Sequence, residues 1–198
     1  MNSFSEIFQL PSAPRVHRGC ELRGYEALER ESDYWIEARE MRGALPAGLE
    51  GTLFLTCVGR NKVGGQQFGH WFDGDGVINR VTFRDGRVHF ANRYVRTDKF
   101  VNESAAGRIL YRGVGTQIPG GFLKNMFRLP GNAANTNVIL HGGRLLALWE
   151  GGKPWELDPA TLESIGEYDF DAGLSATQPF SAHPRLDPRS GDLYNFGV

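Results

Sequence analysis

The side chains best suited to metal or acid–base chemistry in this sequence are five histidines, at positions 17, 70, 89, 141 and 183. None has a partner at the close helical spacing of a zinc motif such as HExxH, so local spacing defines no metal site. A surface or hydrogen-bonded role suffices for each histidine taken singly: His89 falls in an alternating strand pattern, and His141 stands before a Gly-Gly turn. His183 has a different setting. In Pro179-Phe-Ser-Ala-His-Pro184 it follows small residues and precedes a proline, and the proline biases its backbone toward extended geometry, which suits an imidazole fixed at a strand end. Glu150 is the second unusual residue, because it follows Leu145-Leu-Ala-Leu-Trp149, the most apolar run of the chain. A carboxylate at the end of a core strand needs a partner. An arginine or solvent at the strand mouth would serve, and so would the free N–H of a metal-bound histidine, whose ring the carboxylate would orient.

Other patterns exclude chemistry. Phe72-Asp-Gly-Asp-Gly76 opens like a calcium loop, but Val77 and Arg84 stand where oxygen ligands are required, leaving a tight turn with aspartate-to-backbone hydrogen bonds as the expectation. Gly113, Gly115, Gly120 and Gly121 do not form a GxGxxG run after a strand, so no dinucleotide site is indicated. A net charge of −1 from 22 basic and 23 acidic residues supplies no basic field for a phosphate backbone, and nucleic acid is not an expected partner. Cys20 and Cys57 form neither a CxxC pair nor a disulfide framework, which fits a reducing cytoplasm. No apolar stretch reaches the length of a membrane span, and Met1–Gln9 lacks the basic start and apolar run of a signal peptide. The expectation is a protein that stays inside the cell.

The elements that must hold His183 and Glu150 read as all-β. Residues 1–20 are polar and proline-punctuated, a flexible N-terminal arm. The mixed stretch Leu22–Met41, with Tyr25, Leu28, Tyr34, Trp35 and Ile36, is expected to form a short helix before Gly43-Ala-Leu-Pro46. From Gly51 onward, short apolar runs alternate with Gly, Pro, Asp and Asn. Val77–Tyr94 is a hairpin pattern around Asp85-Gly86, a dipeptide that supports the positive φ angles of a tight turn. Residues 137–170 read as strand, turn, strand, turn, strand and a fourth strand, the size of one propeller blade. Residues 184–198 then begin again, with Asp187-Pro-Arg-Ser-Gly191 as the turn. At roughly 40–50 residues per blade the chain would hold about four blades. Nothing after Val198 caps the exposed strand edges of such an open array, so the expectation is an incomplete piece of a longer propeller, with a smaller open β-sheet domain as the alternative.

The segments His70-Trp-Phe-Asp-Gly-Asp-Gly76, Asn135-Thr-Asn137, Arg144-Leu-Leu-Ala-Leu-Trp-Glu-Gly-Gly152 and Ser181-Ala-His-Pro-Arg-Leu-Asp-Pro188, with Tyr94-Val-Arg96 and Ile109-Leu-Tyr-Arg-Gly113, resemble the carotenoid cleavage oxygenases in identity and order. The resemblance covers roughly residues 22–191 and is strongest to the bacterial apocarotenoid 15,15′-oxygenases. It implies the N-terminal part of a seven-bladed β-propeller with Fe(II) on its axis, held by four histidines and using O₂ to split a conjugated double bond of a polyene into carbonyl products. By this resemblance His183 matches the first iron ligand, and Glu150 matches the first of the carboxylates that orient ligand histidines, serving in the family a later histidine that this chain lacks. Thr136 matches a residue whose methyl group crowds an open iron position, and Phe72 and Trp149 fall in segments near the substrate tunnel. The sequence departs from the family at Leu55-Thr-Cys-Val-Gly59.

Three further histidine ligands have no counterpart in the chain, so the 198 residues alone are expected to be inactive. A cleaving enzyme for stilbenes and a non-catalytic β-rich fragment or binding module are the alternatives. One more pattern bears on substrate delivery. Phe122, Leu123, Met126 and Phe127 would share one face of a short helix between Gly120-Gly121 and Pro130-Gly131. Such a stripe commonly packs into a core, but it also resembles the family's apolar patch at the tunnel mouth, which implies peripheral membrane contact.

Overall fold

The computed structural model describes residues 26–118, 120–121, 125–126, 128, 130–175 and 177–197. Asp85 and Gly86 take φ of 51° and 68°, the left-handed pair that a two-residue hairpin turn requires. They join β5 (Asp75–Arg84) to β6 (Arg87–Tyr94). With β1 (Ser32–Trp35) and β2 (Gly51–Arg60) these strands make an antiparallel sheet in the order β1-β6-β5-β2. Two short strands, β3 (Lys62–Val63) and β4 (Gln66–Gln67), form a separate hairpin.

The second sheet is the meander expected between residues 137 and 170. Its strands are β7 (Asn137–His141), β8 (Arg144–Leu148), β9 (Trp155–Leu157) and β10 (Ser164–Glu167), each paired antiparallel with the next. The β7–β8 turn is Gly142-Gly143, with φ of 56° and 80°. A last hairpin pairs β11 (Arg185–Leu186) with β12 (Leu193–Tyr194).

Burial on both faces explains the unbroken apolar run of β8. Leu145 and Ala147 pack, with Trp155, Leu157 and Leu162, against Ile78, Ala91, Val95 and Ala134 of the first half. Leu146 and Leu148 pack on the opposite side with Phe180 and Ala182, flanked by Tyr168, Phe170 and Leu193. The two sheets and the 168–195 segment therefore stack as successive layers, with β8 in the middle one. Each of these fully buried leucines contributes about 1.5–3 kcal/mol of transfer free energy.

One expectation is corrected. The described part of Leu22–Met41 forms β1 and a single 3-10 turn at Ala38–Glu40. The free edge of β6 captures it, pairing Tyr34 with Phe90 and Trp35 with His89, while Asn92 Oδ1 accepts the Ser32 N–H at 2.7 Å. Among the described residues there are two four-stranded sheets and two two-stranded hairpins. Between β6 and β7 lie helix α1 (Asp98–Ala106) and, over residues 107–118, a loop without a strand. Thr97 Oγ1 caps α1 by accepting the Phe100 N–H, and Gly107 ends it in the left-handed conformation at φ 61°.

Buried carboxylates hold that loop where strand ladders do not. Asp73 accepts the N–H groups of Val114 (2.5 Å) and Gly115 (3.0 Å) and the Thr116 hydroxyl (2.7 Å). Glu103 accepts the N–H groups of Leu110 and Tyr111. Asp75 accepts from Arg60 Nε at 2.7 Å and Lys99 Nζ at 2.8 Å, and Lys99 Nζ lies 3.2 Å from Glu103. The 72–76 run begins in the expected tight turn, a 3-10 turn at Trp71–Asp73, and Asp73 accepts backbone N–H groups about forty residues away. Among the described residues no helix is long and apolar enough to cross a membrane.

Candidate functional site at the end of the second sheet

Glu150 emerges two residues after β8, where the strand leaves the core, and His183 follows Ala182, whose side chain is wholly buried against Leu146 and Leu148. The layer packing therefore delivers both side chains to one end of the second sheet. Glu150 Oε1 lies 3.1 Å from His183 Nε2, with the side chains about half and two-thirds exposed. Within this chain Glu150 thus contacts His183, whereas the resemblance assigns it to a later histidine that these residues do not include.

Side-chain and main-chain hydrogen bonds fix the surroundings. The Thr136 N–H donates to the Leu148 carbonyl at 3.1 Å, extending the β7–β8 ladder by one step and placing Thr136 beside the strand that leads to Glu150. Asn137 Nδ2 donates to the Ala182 carbonyl at 2.8 Å, tying the start of β7 to the residue before His183. The His183 N–H in turn donates to Ser181 Oγ at 3.2 Å, and Asn195 exchanges two hydrogen bonds with the Ser181 backbone. Asn135 Nδ2 reaches the other way, donating to the carbonyls of Phe72 (2.9 Å) and Gly74 (2.6 Å).

Phe72 is exposed and stands edge-on to His70, its ring 4.7 Å away, while His70 Nδ1 accepts the Phe72 N–H. Trp149 is buried. Its ring lies across Gly151, where a Cβ would come within 2.6 Å of it, so only glycine fits there. A cleft of about 370 Å³ opens beside it, lined by Asn132, Trp149, Glu150, Lys153, Gln178 and Pro179. Met126 is half-buried; Phe122, Leu123 and Phe127, which complete the expected lipid-facing stripe, lie outside the described residues.

Glu150, His183 and Thr136 are therefore neighbours through a few bonds, and Phe72 joins them through Asn135. The two asparagines that make these links were not singled out by sequence, although both flank Thr136 in the Asn-Thr-Asn run. Their signal was there: paired side-chain amides at the mouth of a buried strand have backbone groups to satisfy. Among the described residues no three His, Cys, Asp or Glu side chains gather closely enough to hold an ion.

Fold and site together define an antiparallel, layered β protein that presents an imidazole–carboxylate pair at the end of its most buried strand. The chain belongs to the family described as RPE65, retinal pigment epithelial membrane protein, which matches residues 25–198. It is 48% identical over 172 residues to the apocarotenoid-15,15′-oxygenase of Synechocystis sp., covering 85% of this chain and 35% of that protein. It is 38% identical to resveratrol cleavage oxygenase 1 of Chaetomium globosum, covering 81% of this chain and 27% of that protein. The chain thus spans about a third of the length of the curated relatives it matches. The crystal structure of the cobalt-substituted Synechocystis oxygenase superposes with a TM-score of 0.79 at 46% identity, covering 87% of this chain and 37% of that one. The same oxygenase has been solved with Glu150→Asp, Glu150→Gln, Thr136→Ala and Trp149→Ala substitutions. Residues of those types stand at the same numbers here.

Proposed function

We propose that this chain is part of an Fe(II)-dependent oxygenase that splits a conjugated carbon–carbon double bond of an apocarotenoid or carotenoid with O₂, yielding aldehydes. The observation that carries this reading is the 48% identity over 172 residues to an apocarotenoid oxygenase, in a chain that brings His183 and Glu150 together at the end of β8. His183 contributes one imidazole to the iron, and the remaining ligands come from parts of the full-length protein beyond these residues. The iron, when bound, supplies the chemistry of O₂.

The residues of this chain prepare the site. Glu150 restrains an imidazole ring by accepting its N–H. Thr136 crowds one side of the metal position with its methyl group, and Phe72 and Trp149 offer aromatic surface to an extended apolar substrate. The 119–127 segment supplies a peripheral contact with lipid, from which a water-insoluble polyene would be drawn. Taken alone, the 198 residues lack a complete donor set and turn nothing over.

Incubating the full-length, iron-loaded protein with an apocarotenal under ¹⁸O₂ tests this reading. Two carbonyl products with label from O₂ are the expected result, and absence of cleavage would refute it. A stilbene such as resveratrol belongs in the same assay, because the identity to a resveratrol cleavage oxygenase favours an aryl-alkene substrate as the second reading.

A further inference from the structure

Asn135 is buried, and every hydrogen-bonding group of its side-chain amide is engaged. Its Nδ2 donates to the Phe72 and Gly74 carbonyls at 2.9 and 2.6 Å, and its Oδ1 accepts the Thr136 hydroxyl at 3.1 Å. The backbone just before it is equally constrained, since the Gly76 N–H donates to the Ala133 carbonyl at 2.8 Å and a Cβ at Gly76 would lie 2.0 Å from the Ala134 oxygen. The amide is therefore held by the first sheet's 72–76 run and has little freedom to follow Thr136. Thr136 must follow it. A threonine carries its hydroxyl and methyl on one carbon, so holding Oγ1 toward Asn135 also fixes where the methyl points.

We propose that Asn135 is a positioning residue for the cleavage reaction: it locks the rotamer of Thr136 and so sets which side of the site the methyl crowds. This rests on the oxygenase reading above. It also links two layers of the fold to one side chain, because the same amide that holds Phe72's carbonyl holds Thr136's hydroxyl. A purely structural role would satisfy the same hydrogen bonds, so the test must read Thr136 itself.

In the full-length protein, Asn135→Ala, Thr136→Val and the double variant are compared with wild type for apocarotenal cleavage and by ¹³C-methyl NMR of labelled threonine. Asn135→Ala is expected to lower kcat about tenfold while KM changes less than about twofold. In the Thr136→Val background, where the hydroxyl is gone, the same change should cost less than about threefold, because coupled residues are non-additive. The Thr136 methyl should report one rotamer in wild type and an average in Asn135→Ala. Asn135→Ser is too short to reach Thr136 Oγ1 but keeps a hydroxyl that can donate to a carbonyl, so it should also average the Thr136 methyl, and it serves where the alanine variant fails to fold. Equal losses in both backgrounds, or an unmoved Thr136 methyl in Asn135→Ala or Asn135→Ser, would overturn the proposal. If wild type cleaves no polyene, the oxygenase reading fails, and the methyl signal alone decides whether Asn135 governs Thr136.

Discussion

Tyr94 shows how one side chain can join three parts of the chain. Its hydroxyl lies 2.8 Å from the Leu28 carbonyl and 2.7 Å from that of Gly59, and its ring stacks on Phe100. Burial pushes its pKa up to about 12 from the usual 10. With the folded-state value raised, the unfolded chain releases the proton first as pH rises. The stabilisation is therefore complete below pH 10 and disappears as pH climbs toward about 12. Tyr94→Phe should cost about 1 kcal/mol near neutral pH, and the gap from wild type in denaturant melts should close across that alkaline window. A constant gap would mean the hydroxyl does not titrate this way. Glu150 makes a separate prediction: Glu150→Gln in the full-length protein should weaken metal retention or activity by about 10–100-fold. Unchanged iron content and turnover would reduce it to a surface partner of His183. Both ends of that pair were legible in sequence, His183 from the proline after it and Glu150 from the apolar run before it. Their mutual contact was not legible, because it depends on how Ala182 packs under β8, and sequence spacing carries no record of packing between layers.

Strands and helix differ in how openly they were written. Asp85-Gly86 and Gly142-Gly143 announce their turns because few other residues accept positive φ there, and β7 to β10 followed from them. β1 was hidden: Ser32–Trp35 has no strong strand signal of its own and is recruited by the edge of β6. α1 was also missed, although Thr97 and Gly107 mark its two ends, since its burial comes from charged residues rather than an apolar stripe. Lys99 is only 2% exposed, yet its ammonium sits between Asp75 and Glu103 and over the Phe68 ring at 4.0 Å. Removing one partner of a buried ion pair leaves an uncompensated charge. Lys99→Met should therefore cost about 3–5 kcal/mol in urea unfolding, with part recovered in Lys99→Met/Glu103→Gln. A loss under about 1 kcal/mol would show that the helix is not anchored by this network.

The layers leave one face uncovered among the described residues. Pairing runs Leu53 to Val81, Val81 to Phe90 and Phe90 to Tyr34, so these four side chains form a row across the first sheet. Phe54, on the opposite face, packs toward the second sheet, whereas Leu53, Leu55 and Tyr34 are each 48% exposed. Contiguous apolar surface of this kind drives association. Prepared alone, the 198-residue chain should self-associate and bind an apolar dye, and Leu53→Lys with Leu55→Lys should reduce both in light scattering and fluorescence. A monodisperse chain that binds no dye would show the row to be covered by another part of the protein already present. For the protein as a whole, everything proposed about its chemistry converges on one imidazole. Iron per polypeptide, measured by mass spectrometry on the full-length protein and on His183→Ala, is the decisive quantity. Near-stoichiometric iron in wild type and its loss in the variant, with the thermal melt otherwise preserved, is the result expected; equal iron in both would contradict the assignment of His183 as a ligand.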